Sequence, residues 1–479
     1  MTMKILLPSI FLGSLFCLSA RAQNWDLKRC IEYAVTNNVS IKQADVQARL
    51  AELTLKQNKL SQIPLLSFQG GFSYNSGYTQ NPQTFSLSTS GLDYNTYALQ
   101  SSSNIFNFNN VRNNIAGSKF AWEAANANTD NVRNSISLNV ANAYLNYLLA
   151  NQQQNVTQLQ LRMSQANLEN TSKLVRAGSL PELNQAELES QVAQDSSTYV
   201  TALSNTQTAI LTVKAYMSFD AASAFVLDTP SVTKIPIETL ADLQPEIVYA
   251  LALVNQPLQK EDALLIKSAA KYLDASRGAM YPTVSLFGQL GSTYTNQTQE
   301  FTGNFITLNP PYPTIAYTEI GGTTYPVYQN PVEPVFKNQP YFNQLNTAFR
   351  QSVGINLNIP ILNGGTLRVA YQRSKLNLTN YQLQQEADNL SLKQNIYQAY
   401  QLALAALQKF ESNKKTVEAT QRSFEYAQKR YNVGLLNTID LLTNQNNYFN
   451  AQINLLSSQF DFVFKMKVLE FYKGMGIKL

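Results

Sequence analysis
The sequence predicts a mixed α/β chain built by internal duplication, each half giving two short amphipathic strands to a sheet and carrying one very long helix. Three observations point there. The chain matches itself at two successive shifts, four short stretches alternate apolar and polar residues, and two stretches of about 67 residues run without proline.

The duplication sets the frame for the rest. At a shift of 218, Ala34 falls on Ala252, Asn37 on Asn255, Pro64 on Pro282 and Gly70 on Gly288. Farther along the best shift is 256, where Ile105 falls on Ile361, Arg112 on Arg368, Tyr144 on Tyr400, Gly178 on Gly434 and Tyr216 on Tyr472. The difference between 256 and 218 is an insertion of 38 residues in the second half, near 299–346. Residues 23–230 are the first repeat and 231–479 the second. The insertion holds seven prolines from Pro310 to Pro340, so it reads as a loop rather than strand or helix.

Each repeat has the order helix, strand, strand, long helix, turn, helix. Over 64–74, Leu66, Phe68, Gly70, Phe72 and Tyr74 share one face, and Ser67, Gln69, Ser73 and Asn75 the other. Val284, Leu286, Leu290 and Tyr294 repeat the pattern, as do Val353, Ile355, Leu357 and Ile359, and more weakly Tyr97, Leu99 and Ile105. Period two with one apolar face fits either a half-buried soluble sheet or a lipid-facing barrel wall. The aromatic residues Phe68, Phe72, Tyr74, Tyr78, Tyr94 and Tyr97 suit either interfacial girdles or ordinary strand packing.

The long helices are expected at about 110–176 and 366–432, with shorter ones at about 26–60, 182–216, 245–280 and 438–473. A helix of that length spans roughly 100 Å and calls for coiled-coil packing. Its faces are rich in Asn, Gln, Ser and Ala, which suits a hollow, wetted tube better than a solid four-helix core.

Residues 1–22 read as a secretory signal peptide, with Lys4, the apolar run Ile5–Leu18 and Ala20-Arg21-Ala22 before the cleavage point. Lys4 and Arg21 leave with it, so the formal charge of +5 becomes +3, too small to mark a nucleic-acid binder. Histidine is absent, and Cys30 is the only cysteine of the mature chain. These two facts remove imidazole acid–base chemistry, His-containing metal sites and an intrachain disulfide. No cofactor, metal site or paired-carboxylate motif stands out, so the chain is not read as an enzyme. Beyond the leader no apolar run is long enough for a transmembrane helix, yet an exported chain can still span a membrane as a β-barrel.

Two motif pairs carry a family resemblance. One joins strand to helix, Asn104-Ile105-Phe106-Asn107-Phe108-Asn109 with Pro360-Ile361-Leu362-Asn363-Gly364-Gly365. The other is the turn at Gly178 and its copy Tyr431-Asn432-Val433-Gly434-Leu435-Leu436-Asn437-Thr438-Ile439-Asp440. Together with the duplication they make the chain, from about residue 25 onward, resemble the TolC-like outer-membrane efflux proteins.

The resemblance implies a homotrimer in the outer membrane. Each subunit gives four strands to one β-barrel and its helices to a continuous periplasmic α-helical barrel. Four strands cannot close a membrane barrel alone, since the smallest have about eight. The implied function is a passive exit duct of a tripartite efflux or secretion system, with a periplasmic adaptor and an inner-membrane pump as partners. The helix–turn–helix tips, with Arg176, Gly178, Leu180, Arg430, Gly434 and Leu435, are implied to meet the adaptor.

Asp440 corresponds to an aspartate that rings the closed periplasmic mouth in the family; read from the residues alone, it is a carboxylate in the first turn of a helix. The second acidic place of the motif is Thr443 here, Leu436 stands where a basic bracing residue is expected, and the first-repeat counterpart of Asp440 is Asn184. The insertion is placed outside the cell, either as a partial lid over the mouth or as a plain exposed loop. A structural periplasmic coiled-coil protein is the competing class; it accounts for the helices but not for amphipathic strands.

Overall fold
The computed structural model describes residues 24–80, 85, 87–230 and 235–474. The expected signal peptide lies outside the described residues, as do 231–234, where the second repeat is expected to begin. In the first half the elements are α1 (Leu27–Asn37), α2 (Val39–Leu60), β1 (Leu65–Gln80), β2 (Leu87–Phe106), α3 (Asn110–Arg176) and α4 (Glu182–Met217). The second half repeats them as α5 (Pro245–Asn255), α6 (Pro257–Gly278), β3 (Thr283–Thr295), β8 (Arg350–Asn358), α8 (Thr366–Asn432) and α9 (Thr438–Lys473). Helix lengths agree residue for residue between the halves: 11, 22, 67 and 36.

The helices expected at 26–60 and 245–280 are each broken once. Asn38 and Gln256 leave the helical conformation, with ψ of 131° and 130°. Each side-chain amide donates to the end of a neighbouring helix: Asn38 Nδ2 to Tyr216 O at 2.7 Å, Gln256 Nε2 to Phe471 O at 2.9 Å. The same break is thus made twice, by different residues, against equivalent helix ends.

Two compact units are formed. The sheet unit comprises Thr54–Ser118 and Ala269–Leu378. Its four antiparallel strands follow the order β1-β2-β3-β8. The register places Phe68 opposite Leu99, Leu99 opposite Leu290, and Leu286 opposite Ile355, so one face carries the apolar residues of all four strands. Phe72, Val353 and Ile355 on that face are exposed. Tyr97 belongs to the apolar face, paired with Gly70, but Tyr94 pairs with Ser73 and joins the polar face. A bulge between Asn104 and Phe106 leaves Ile105 unpaired and carries the apolar face on through Phe106, opposite Val284. Among the described residues, both outer strands, β1 and β8, keep one edge unpaired.

The inserted segment is not the structureless loop expected from its prolines. It forms two hairpins, β4 (Gln299–Thr307) with β7 (Val332–Asn338) and β5 (Tyr312–Ile320) with β6 (Thr323–Gln329), then the short helix α7 (Tyr341–Thr347). In a two-stranded ribbon every strand is an edge, so Pro313, Pro326 and Pro334 withhold no donor that a third strand needs. Gly321 and Gly322, both at positive φ, make the two-residue turn of the β5–β6 hairpin. Gln344 of α7 finishes the free edge of β3, its Nε2 donating to Thr295 O at 3.0 Å while its Oε1 accepts from Thr295 N. A cavity of about 790 Å³ lies between one end of the sheet, with Thr96, Gln289 and Arg350, and Thr298, Gln339 and Thr347 of the insertion.

The helical unit comprises residues up to Leu53, Lys119–Ser268 and Thr379 onward. It has two matched apolar cores. Val140, Ala143 and Tyr144 of α3 pack with Cys30 and Ala34 of α1 and with Val213 and Met217 of α4. Ile396 and Ala399 of α8 pack with Val248 and Ala252 of α5 and with Leu469 of α9. Of these, the larger side chains, Val140, Val213, Met217, Val248, Ile396 and Leu469, are each worth about 1.5–3 kcal/mol. Among the described residues no helix is long and apolar enough to cross a membrane.

Candidate functional site
The two helix–turn–helix tips are built alike. After α3, Gly178 N–H donates to Val175 O at 2.9 Å and Ser179 N–H to Leu174 O at 2.8 Å. After α8, Gly434 N–H donates to Tyr431 O and Leu435 N–H to Arg430 O, both at 2.9 Å. This is the Schellman termination, and it requires the left-handed backbone that both glycines adopt, at φ of 74° and 76°. Arg430 also closes its turn, Nη2 donating to Leu435 O at 3.3 Å, while Arg176 Nε donates back to Ser172 O at 3.2 Å. Leu435 is exposed, as are Val433 and Ile439, so the second tip presents an apolar surface.

The helix after the second tip is capped by Asn437, whose Oδ1 accepts the N–H of Asp440 at 2.7 Å. Asp440 therefore sits at the third helical position of α9, exposed, at the positive end of the helix dipole. Thr443 lies one turn on, also exposed, its hydroxyl donating to Ile439 O at 2.8 Å. Leu436 is not beside them; it turns into packing with Phe424, Ala427 and Leu441.

Farther along the same helices lies a polar core that the sequence did not announce. Asp195 of α4 is buried and accepts from Gln160 Nε2 at 2.8 Å, from Gln191 Nε2 at 2.9 Å and from Ser164 Oγ. Gln445 of α9, fully buried, donates to Ser164 Oγ at 3.1 Å, and Asn446 joins through Gln160 and Gln191. The signal was there as amide and hydroxyl residues at helical spacing, Gln160, Ser164 and Asn167, where apolar residues belong in a dry core.

A second polar group lies where α6 meets α8. Burial, followed by the charges of Asp262 and Asp388, pushes the Glu261 carboxyl up to about 7. Burial, followed by Asp388, pushes Asp262 up to about 6. Burial also pushes the Cys30 thiol up to about 12, which leaves it unreactive. Among the described residues no group of acidic or cysteine side chains is arranged to hold a metal.

A sheet whose apolar face is exposed and whose outer edges are open, joined to duplicated long helices, matches known proteins throughout its length. The model of the outer membrane efflux protein family matches residues 30–218 and 248–461. The chain belongs to the outer membrane efflux protein family. It is 25% identical to the outer membrane efflux protein BepC of Brucella suis over 219 residues, 46% of this chain and 38% of that protein. It is 20% identical to the outer membrane protein TolC of Salmonella enteritidis over 476 residues, 99% of this chain and 87% of that protein. In fold it matches a membrane protein from Pseudomonas aeruginosa with a TM-score of 0.73, at 15% identity over 94% of this chain and 92% of that one. The fold is that of the family's channels: a barrel portion of four strands per subunit and a long α-helical portion, duplicated. This outer-membrane efflux protein resides in the outer membrane and extends into the periplasm. The family is one of channel proteins rather than enzymes. A purely structural coiled coil leaves the exposed apolar sheet face unexplained.

Proposed function
We propose that three copies of this chain close one barrel and form a passive exit duct, through which small molecules or exported substrates leave by diffusion. The observation that carries this is the sheet: one apolar face, one polar face and two unpaired edge strands, β1 and β8. Unpaired backbone groups cannot lie in hydrocarbon, so edges must meet edges of further copies. An inner-membrane pump supplies the energy, and a periplasmic adaptor takes hold of the tips at Arg176, Gly178, Leu180, Arg430, Gly434 and Leu435. The twin Schellman turns support that role, because they hold the tips in fixed and nearly identical form.

Asp440 lines the narrow periplasmic end in this reading, with Thr443 beside it and Leu436 serving as packing behind. Symmetry gives one carboxylate per subunit, a ring that attracts cations. The inserted hairpins stand outside the cell and narrow the outer mouth; their support is the cavity they share with polar-face residues of the sheet. Mass measurement of the detergent-solubilised protein, paired with single-channel recording in a planar bilayer, tests the proposal. A trimer with unitary current is expected. A stable monomer, or a trimer with no conductance under any voltage, overturns it.

A further inference from the structure
The duplication supplies a template for the surface where copies meet. Inside the chain, β2 and β3 are neighbours, α3 follows β2, and α6 leads into β3. These two helices run antiparallel and pack through Ala124 and Ala127 against Leu264, flanked by Phe120 and Leu265. When copies close a ring, β8 of one meets β1 of the next, and the helices attached to them are α8 and α2. Moving the internal contact by the repeat shifts of 256 and 218 turns Ala127 into Leu383 and Leu264 into Val46.

Both of those residues are bare within the chain. Val46 is 52% exposed and Leu383 59%. One heptad away lie Val39, 57% exposed, and Leu390, 63% exposed. The same spacing of seven continues along α2 to Leu53 and Leu60, and along α8 to Leu376 and Val369, all exposed. A sustained heptad of exposed apolar residues is a coiled-coil seam without its partner. Charge agrees with the register. Exposed Lys42, between Val39 and Val46, comes level with exposed Glu386, between Leu383 and Leu390. The internal template carries the same signs at the same places, Lys260 on the short helix and Asp130 on the long one.

We infer that α2 of one copy and α8 of the next zip together antiparallel, Val39 against Leu390 and Val46 against Leu383, with Lys42 beside Glu386. This rests on the oligomeric channel reading and adds to it a fixed register for the helical seam.

Paired cysteines test it. In the otherwise intact protein, where Cys30 is buried, Val39→Cys with Leu390→Cys is oxidised in detergent and run without reductant. Covalent dimers and a closed ring of copies are expected, because facing seam positions lie within disulfide reach. Val39→Cys with Leu383→Cys, displaced one heptad or about 10 Å, is expected to cross-link at least about tenfold less under the same conditions. If the displaced pair links as readily, or neither links while mass measurement still shows an oligomer, the register is wrong and the channel reading stands. A product of monomer mass also overturns the register. If the unoxidised protein is itself a monomer, both readings fall.

Discussion
At the residue scale, Asp440 and Asp195 illustrate two uses of one carboxylate. Asp440 is exposed at a helix start and its backbone, not its side chain, engages the cap of Asn437. Asp440→Asn therefore leaves the cap intact and costs stability only about 0.3–1 kcal/mol through the helix dipole. Block of single-channel current by divalent cations is expected to weaken, with assembly unchanged; equal block in both proteins assigns Asp440 to the helix alone. Asp195 is the opposite case. Asp195→Ala strips the buried amide of Gln160 and the half-buried amide of Gln191 of their acceptor. It is expected to destabilise the helical region by about 2–4 kcal/mol, seen as a lower melting temperature in detergent, while Glu189→Ala, on an exposed part of α4, leaves it nearly unchanged. The position of Asp440 was legible because its motif is local. Asp195 was not, because two of its three donors, Ser164 and Gln160, stand 31 and 35 positions away on another helix.

At the element scale, the long helices were legible to the residue, since absence of proline and a sustained apolar period leave no other solution for Asn110–Arg176 and Thr366–Asn432. The breaks at Asn38 and Gln256 were not. A one-residue departure is decided by where the side-chain amide finds a carbonyl, and that carbonyl belongs to another helix. Pro257, immediately after the second break, was the one local sign of it. The insertion was misread for a related reason: prolines argue against a central strand but not against an isolated ribbon. Its outer hairpin is a separable piece, since Leu308 N–H donates to Pro331 O at 3.0 Å just inside it. Excising 309–330 is expected to leave the oligomer assembled, as the β4–β7 pairing and the Lys337–Glu300 ion pair remain. Single-channel conductance is expected to rise; an unaltered value in a correctly assembled variant removes the lid.

At the scale of the whole molecule, the carboxyls of Glu261 and Asp262 set a pH dependence. Both are raised by burial above the values they have in an unfolded chain, so the folded state binds more protons between about pH 4 and pH 7. Their stabilising contribution is therefore full below that window and is lost as pH rises through it. Melting temperature measured against pH is expected to fall across this range, and Glu261→Gln is expected to flatten the fall and to exceed the parent above pH 7. A parallel pair of curves rejects the assignment.

The open sheet has a consequence for the history of each molecule before it reaches its place. If copies close a ring as proposed, a chain that has not yet met its neighbours carries Phe72, Val353 and Ile355 into water beside two unpaired strand edges. Such a surface recruits any passing strand, and pairing with the wrong one is as favourable locally as pairing with the right one. On the proposed oligomeric reading, biogenesis is then a race between ring closure and precipitation. Refolding from urea into plain buffer is expected to give insoluble, strand-rich aggregate, whereas refolding into micelles yields closed rings in a yield that climbs with protein concentration.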